Sequence, residues 1–376
     1  MRRNANSANL SPWLCLVAAC TLGFIAPVAR AGDTTISLMP SSAAEGLGLT
    51  LATERIGAQN AGATFVLTYG SGLNSNLQAK AAFNLAAARW AALLGDSVSI
   101  NLTVDVASLG TGILGQTGSS TYYTGYSSIR DMMAANVGEV NNPREAALLP
   151  YLPTAAQFSA QVPTGWGLDG YMSFTLANYH ALGGTELIGA SDGSITFSTN
   201  FAWDYDPSNG IDAGKYDFVG VAMHEMGHAL GFISDVDYID GNLSTTNEAA
   251  KFTEPTPLDL FRFAAADVTS PGFDFTTTAR YMAPGGDQVF YFGDGYAALS
   301  TGSENGDGWQ ASHWEMGTMT NLMEPAVASG HLMTISQQDL IAMDLIGWDV
   351  VPEPATMAML AAGSLLILIR RRRIAR

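Results

Sequence analysis

The stretch Val219-Gly220-Val221-Ala222-Met223-His224-Glu225-Met226-Gly227-His228-Ala229-Leu230-Gly231-Phe232 decides the reading of this 376-residue chain. Two histidines four apart, with a glutamate between them, fall on one face of a helix of 3.6 residues per turn. Their imidazoles can grip one divalent cation while Glu225 projects beside them as a base. This HExxH pattern is a zinc hydrolase signature, so Zn2+ is the expected cofactor. The flanking residues set the helix bounds. It begins near Tyr216 or Asp217, with Asp212 and Asp217 toward its positive end, and stops at Gly231 in the left-handed conformation.

Upstream, Ala63 to Tyr69 is rich in branched and aromatic residues and predicts a strand. From Leu77 to Leu94 the apolar positions Leu77, Ala81, Phe83, Leu85, Ala88, Trp90 and Leu94 recur at helical spacing, with Asn74 or Ser75 as the expected cap. Val98 to Val106 alternates and predicts a half-buried strand, giving a strand-helix-strand unit. A short strand at Ser194 to Thr199 follows the Asp192-Gly193 turn. Downstream, Ser336-Gln337-Gln338-Asp339 reads as a helix start, Leu340, Met343, Leu345 and Ile346 as its apolar stripe, and Gly347 as its end.

Both ends of the chain carry targeting patterns. Arg2 and Arg3, the apolar stretch from Trp13 to Val28 and the small-residue pattern Ala29-Arg30-Ala31 make residues 1–31 an expected export signal. Cys15 and Cys20 both lie inside it, so an exported product has no thiol and no disulfide, and its metal ligands are His or carboxylate. Val17-Ala18-Ala19-Cys20 also fits a lipoprotein processing site, a second reading of the same segment. Residues 32–60, rich in Gly, Ser and Ala, read as a poorly ordered leader.

At the other end stand Val351-Pro352-Glu353-Pro354-Ala355-Thr356, fifteen apolar or small residues from Ala355 to Ile369, and an arginine cluster. This resembles the PEP-CTERM sorting tag of Gram-negative bacteria, which implies an exosortase-type sorting enzyme as partner. The apolar run spans roughly 22 Å as a helix, short for a hydrocarbon core of about 30 Å. It reads as a transient inner-membrane anchor, with a permanent C-terminal anchor as the alternative. Positive residues stay cytoplasmic, so everything before Pro352 is expected on the far side of the inner membrane, at the cell surface or outside the cell after processing.

Between these ends, residues 32–352 hold nine Lys or Arg against 33 Asp or Glu, a formal balance of −24. A surface so acidic argues against nucleic acid as partner and suits an exported soluble enzyme.

A hydrolytic zinc site wants a third protein ligand, and several residues compete for the place. Position 234 of the short HExxHxxGxxH pattern is Ser, and Asp235 lies one residue late for the version that uses Asp. Glu248 has the spacing of a downstream carboxylate ligand, but Gly231 ends the helix before it and Phe252 stands where its partner aspartate belongs. His331 reads as a loop residue, and His180 as a surface or hydrogen-bonded one. Asp204, Asp206 and Asp212 suggest either turn formation or calcium, without the glycine of an EF-type loop. His313 sits in Ser312-His313-Trp314-Glu315, ahead of Asn321-Leu322-Met323-Glu324-Pro325.

Taken in order, HEMGHALGF, SHW and LMEP, with the closing Ile346-Gly347-Trp348, resemble the leishmanolysin-like metzincin zinc metalloproteases. The resemblance implies an α+β fold of zincin or metzincin type. Its upper half, residues 61–232, holds a twisted mixed sheet with a backing helix and the zinc helix. Its lower, loop-rich half, residues 233–350, holds the Met-turn and a closing helix, and residues 351–376 form the tag. The resemblance also implies His224, His228 and His313 as zinc ligands, Glu225 as general base, Met323 as a hydrophobic floor, and a polypeptide substrate lying along an edge strand, assigned to Ser194–Thr199. The expected activity is that of an exported zinc endopeptidase. A non-catalytic surface or matrix protein of an exopolysaccharide layer, and a zinc hydrolase of a non-peptide amide or ester, are the competing readings.

Overall fold

The computed structural model describes residues 13–15, 36–37, 52–57, 62–137, 143–317 and 320–351. Strands β1 (Ala52–Ile56), β2 (Thr64–Tyr69), β3 (Ser99–Ala107), β4 (Gly115–Ser119) and β5 (Gly193–Ser198) form one mixed sheet in the order β1-β2-β3-β5-β4. The three inner strands run parallel, with Phe65 opposite Ile100 and Ile195 opposite Val104; β1 and β4 are antiparallel to their neighbours. Phe65, Leu67, Ile100, Leu102, Val104, Ile195 and Phe197 are buried. This is the alternation expected of strands with a packed face.

Two differences from the expected sheet matter. The leader ends earlier than expected, because β1 already belongs to the sheet; the charges of Glu54 and Arg55 hide its strand pattern, and Glu54 is held by Lys80 at 2.6 Å and Asn84 at 2.7 Å. And β5, the segment assigned to the edge, lies between β3 and β4, so the edge strand on that side is the Gly-rich β4, with β1 at the opposite edge.

Helix α1 (Leu77–Leu93) joins β2 to β3 and is capped by Asn76, whose side chain accepts from the Ala79 amide at 3.1 Å, rather than by Asn74 or Ser75. Its buried face is Ala79, Ala82, Phe83, Ala86, Ala87, Trp90 and Leu93, while Leu77 is 76% exposed and Leu85 40%. Four alanines on the packed side let a second helix approach closely. That helix is α2 (Phe218–Ala229), and the Trp90 indole donates to the Met223 carbonyl at 2.9 Å.

Every residue of α2 is buried. The Asp217 side chain caps its first turn through the Gly220 amide at 2.9 Å; Asp212 pairs instead with Lys215 in an exposed turn. The far end closes as a Schellman turn: the Phe232 amide donates to the Gly227 carbonyl at 3.0 Å, the Gly231 amide to the His228 carbonyl at 3.1 Å, and Gly231 has φ 117°.

The lower half is a set of loops around helix α3 (Val236–Asn242), an antiparallel sheet of β6 (Arg262–Ala264), β7 (Gln288–Tyr291) and β8 (Tyr296–Leu299), and helix α4 (Gln337–Leu345). Ser336 and Asp339 form the capping box expected of α4, and Met343, Leu345 and Ile346 are buried. The architecture is thus mixed α+β with several sheets. The chain then returns to α1: the Gly95 amide donates to the Asp349 carbonyl at 2.7 Å and the Val351 amide to the Leu93 carbonyl at 2.9 Å.

The short strands Trp13–Cys15 and Ile36–Ser37 pair with Ala326–Ala328 and Thr121–Tyr122. The rest of the expected export signal, most of the leader and the tag beyond Val351, including its apolar run, lie outside the described residues. Among the described residues no helix is long and apolar enough to cross a membrane.

At Gly231 a side chain would stand 2.9 Å from the Asn178 Cβ in a backbone conformation that L residues avoid. Gly231→Ala is therefore expected to destabilise the metal-free protein by about 1–2 kcal/mol or more. Urea unfolding reads this, and an unchanged midpoint would contradict the cap.

Candidate metal centre

His224 and His228 leave the same face of α2, and His313 arrives from the lower half; all three are buried. The Nε2 atoms of His228 and His313 lie 3.1 and 3.3 Å from that of His224, and candidate ligand atoms of the three residues fall within 4.8 Å of one another. Tetrahedral coordination at about 2.0–2.1 Å places ligand nitrogens about 3.3–3.4 Å apart, so the cluster fits a zinc ion. Among the described residues this is the one group of three or more His, Cys, Asp or Glu with such geometry.

The outer nitrogens fix the rings. Nδ1 of His224 faces the Leu322 carbonyl at 2.8 Å, that of His228 the Phe232 carbonyl at 2.8 Å, and that of His313 the Gln310 carbonyl at 3.1 Å. A carbonyl only accepts, so each Nδ1 carries the proton and each Nε2 presents a lone pair. Burial drives His224 down to about 4, His228 down to about 3 with help from the His224 charge, and His313 well below its ordinary value. Near neutral pH all three are neutral, the form that ligates metal.

His313 lies 85 residues after His228, and a buried ionic network fixes its loop. Asp237 on α3 accepts from the Ala311 amide at 2.6 Å, the Ser312 amide at 3.1 Å and the Ser312 hydroxyl. Arg262 on β6 donates to the Ala311 carbonyl at 2.5 Å, and is held by Gln288 at 2.7 Å and Asp259 at 3.3 Å. The Ser312 hydroxyl also accepts from the Ser234 amide at 2.9 Å, tying the third histidine's loop to the exit of α2.

Met323 is fully buried beneath α2. A Cβ on Gly227 would stand 2.5 Å from its sulfur, so a helical glycine between the two histidines is what admits the methionine. Asp339 locks this turn: it accepts from the amides of Leu322 at 2.8 Å and Met323 at 3.2 Å and from the Trp314 indole at 2.8 Å. One carboxylate at the start of α4 thus holds both the segment supplying Met323 and the tryptophan next to His313.

Glu225 turns toward β4. Its Oε2 is 2.7 Å from the Thr117 hydroxyl, and its Oε1 is buried without a hydrogen-bond partner. Burial pushes its carboxyl up to about 8, opposed by the Thr117 hydrogen bond; a nearby cation would draw it down again.

The other candidates lie apart from this cluster. Glu248 is on an exposed turn, paired with Lys251 at 2.7 Å. Asp235 is buried but accepts from the Thr253 hydroxyl and the Glu254 amide at 3.0 Å. His331 lies on a half-buried loop, and Ser234 donates to Asp259 at 2.6 Å. His180 is buried rather than on the surface, with Nε2 at 2.9 Å from the Glu186 carbonyl and Nδ1 at 3.6 Å from Asp192. Asp204 accepts from the amides of Asp206 and Asp212 at 3.1 and 2.9 Å, the work of a turn. Sequence reasoning missed Thr117, Asp237 and Arg262, none of which lies in a recognisable pattern. Asp339 was visible only as half of a capping box.

Two outcomes follow from this geometry. Zinc content per chain is expected to fall sharply in His313→Ala and to stay at the wild-type level in Glu248→Ala; the reverse pattern would reassign the third ligand. In the metal-free protein, the raised Glu225 carboxyl stabilises the fold fully below its ordinary pKa of 4.5, and that contribution is lost as pH rises toward about 8. Melting curves of metal-free Glu225→Gln and wild type should therefore diverge in favour of the variant between pH ~5 and pH ~8. Parallel curves would show that Glu225 is not held in a raised state.

Comparison with known proteins touches the end of the chain. Residues 350–373 match the PEP-CTERM protein-sorting motif. No curated protein and no solved structure matches the chain. The motif begins at Val350, inside the segment bonded to the end of α1, and it marks an exported protein of Gram-negative-type secretion that an exosortase-type sorting enzyme recognises.

Proposed function

We propose that this chain is an exported zinc-dependent endopeptidase of the metzincin type, anchored transiently at the inner membrane by its tag. The observation that carries the reading is the convergence of three neutral imidazole Nε2 atoms next to a buried glutamate on the same helix. His224, His228 and His313 would hold the metal, and Met323 would close the site from below without ligating. When bound, zinc supplies a Lewis acid that activates water and polarises a carbonyl.

The chain's own groups supply proton transfer and binding. Glu225, in its ionised form, would accept a proton from the attacking water and pass it to the leaving amine. An extended polypeptide would pair through its main chain with β4, the sheet-edge strand beside α2, rather than with β5. Among the described strands β4 pairs on one side only, with β5, which leaves its other main-chain edge for a partner.

A denatured protein offered to the purified exported form should be cleaved, with activity lost to a chelator and restored by zinc. Glu225→Ala should hold zinc and lose about 10²–10⁴-fold in turnover. Full activity in that variant would remove the reading. Zinc bound without cleavage of any polypeptide would favour the non-catalytic surface protein instead.

A further inference from the structure

The proposed mechanism asks Glu225 to act but does not say what aims it. Helix α2 alone does not, because a glutamate at that position has three rotatable side-chain bonds and no intrahelical partner for its carboxylate. What faces it is β4, whose inward positions are Gly115, Thr117 and Ser119. A Cβ on Gly115 would lie 2.7 Å from Glu225 Oε1 and 2.9 Å from its Cγ, so that the carboxylate rests against bare backbone. The Thr117 hydroxyl is fully buried and lies 2.7 Å from Oε2 and 2.9 Å from the Glu225 main-chain carbonyl.

We infer that Thr117 is a positioning residue for the general base: its hydroxyl holds Oε2 and leaves Oε1 as the oxygen that exchanges the proton. Proton counting supports this. A hydroxyl has one proton and two lone pairs. With Glu225 ionised, Thr117 donates to Oε2. When Oε1 takes up the proton, Oε2 remains an acceptor and the Thr117 hydroxyl still donates to it. The same contact thus survives the gain and loss of a proton without movement of the side chain. Among the described residues Oε1 has no hydrogen-bond partner, which is the state required of an oxygen that must meet water. A valine at 117 would keep the shape and lose this contact; a serine would keep it.

This inference rests on the peptidase reading for its catalytic part, and the experiment separates the two. In the zinc-loaded enzyme, Thr117→Val is expected to lower kcat by about 10- to 100-fold with KM little changed, as for a misplaced catalytic group. Zinc content should stay at the wild-type level, and Thr117→Ser should recover most of the loss. Independently of activity, unfolding of the metal-free protein should show coupling. Thr117→Val destabilises when Glu225 is present and is close to neutral in the Glu225→Ala background. Equal kcat in Thr117→Val and wild type, or additive effects across that cycle, would overturn the inference. A wild type that binds zinc and cleaves nothing would overturn the peptidase reading, leaving the cycle to decide whether β4 aims the carboxylate.

Discussion

Three buried imidazoles, with the Nε2 atoms of His228 and His313 3.1 and 3.3 Å from that of His224, are the constraint around which this protein is arranged. Protonated, they would repel one another and carry an uncompensated desolvation cost; neutral, they turn their lone pairs toward one another, an arrangement that could hold a shared cation. The helix carrying two of them is therefore buried along its whole length, and its polar atoms are met from outside. Trp90 takes the Met223 carbonyl, Trp348 takes the Leu230 carbonyl at 2.7 Å, and Leu322 and Phe232 supply carbonyls to the rings. Both tryptophans bring a single N–H donor on a large apolar body, which suits a helix that needs packing and hydrogen bonds together.

The lower half follows from the need to deliver His313. A loop alone would not hold an imidazole to a few tenths of an ångström, and here the holding is ionic. Asp237, Asp259 and Arg262 are tied to one another through the loop and are buried or nearly so, and Asp339 does the same for the methionine turn. Charges buried this way gain little net stability. Their value is geometric, since a carboxylate with several amide donors has one comfortable orientation, and the amides it binds are those of the segments carrying His313 and Met323.

How much of this was legible in the sequence depended on whether the signal was local. The HExxH spacing, the glycine stop at 231 and the Ser336 capping box are local and appear as expected. His313 was reached through a resemblance of motifs in order, and the structure ties its neighbour Trp314 and the Met323 amide to one carboxylate, Asp339. The buried face of α1 was legible in part: Phe83, Trp90 and Leu94 are buried as expected, whereas Leu77 and Leu85 are exposed and Ala79, Ala82, Ala86 and Ala87 fill the face beside α2. The edge strand was misassigned for a related reason. Gly115-Gln116-Thr117-Gly118-Ser119 has the composition of a loop, and its strand conformation is imposed by pairing with β5.

The same smallness recurs wherever the site is tight. Gly115 makes room for the Glu225 carboxylate, Gly227 for the Met323 sulfur and Gly220 for Met333, whose Cβ would stand 2.4 Å from an added one. In an ordinary helix each of the two helical glycines would cost up to about 1 kcal/mol relative to alanine. Here the alternative is a steric collision in a close-packed interior, where a side chain displaced by one methyl group moves the element behind it. Glycine in α2 is thus the means by which two other segments reach the helix surface, and the separation of the upper and lower halves is set by backbone rather than by side-chain bulk. A site built this way tolerates little enlargement at 115, 220 or 227, whereas positions on the outer face of α1, such as Leu85, face solvent and are not subject to that limit.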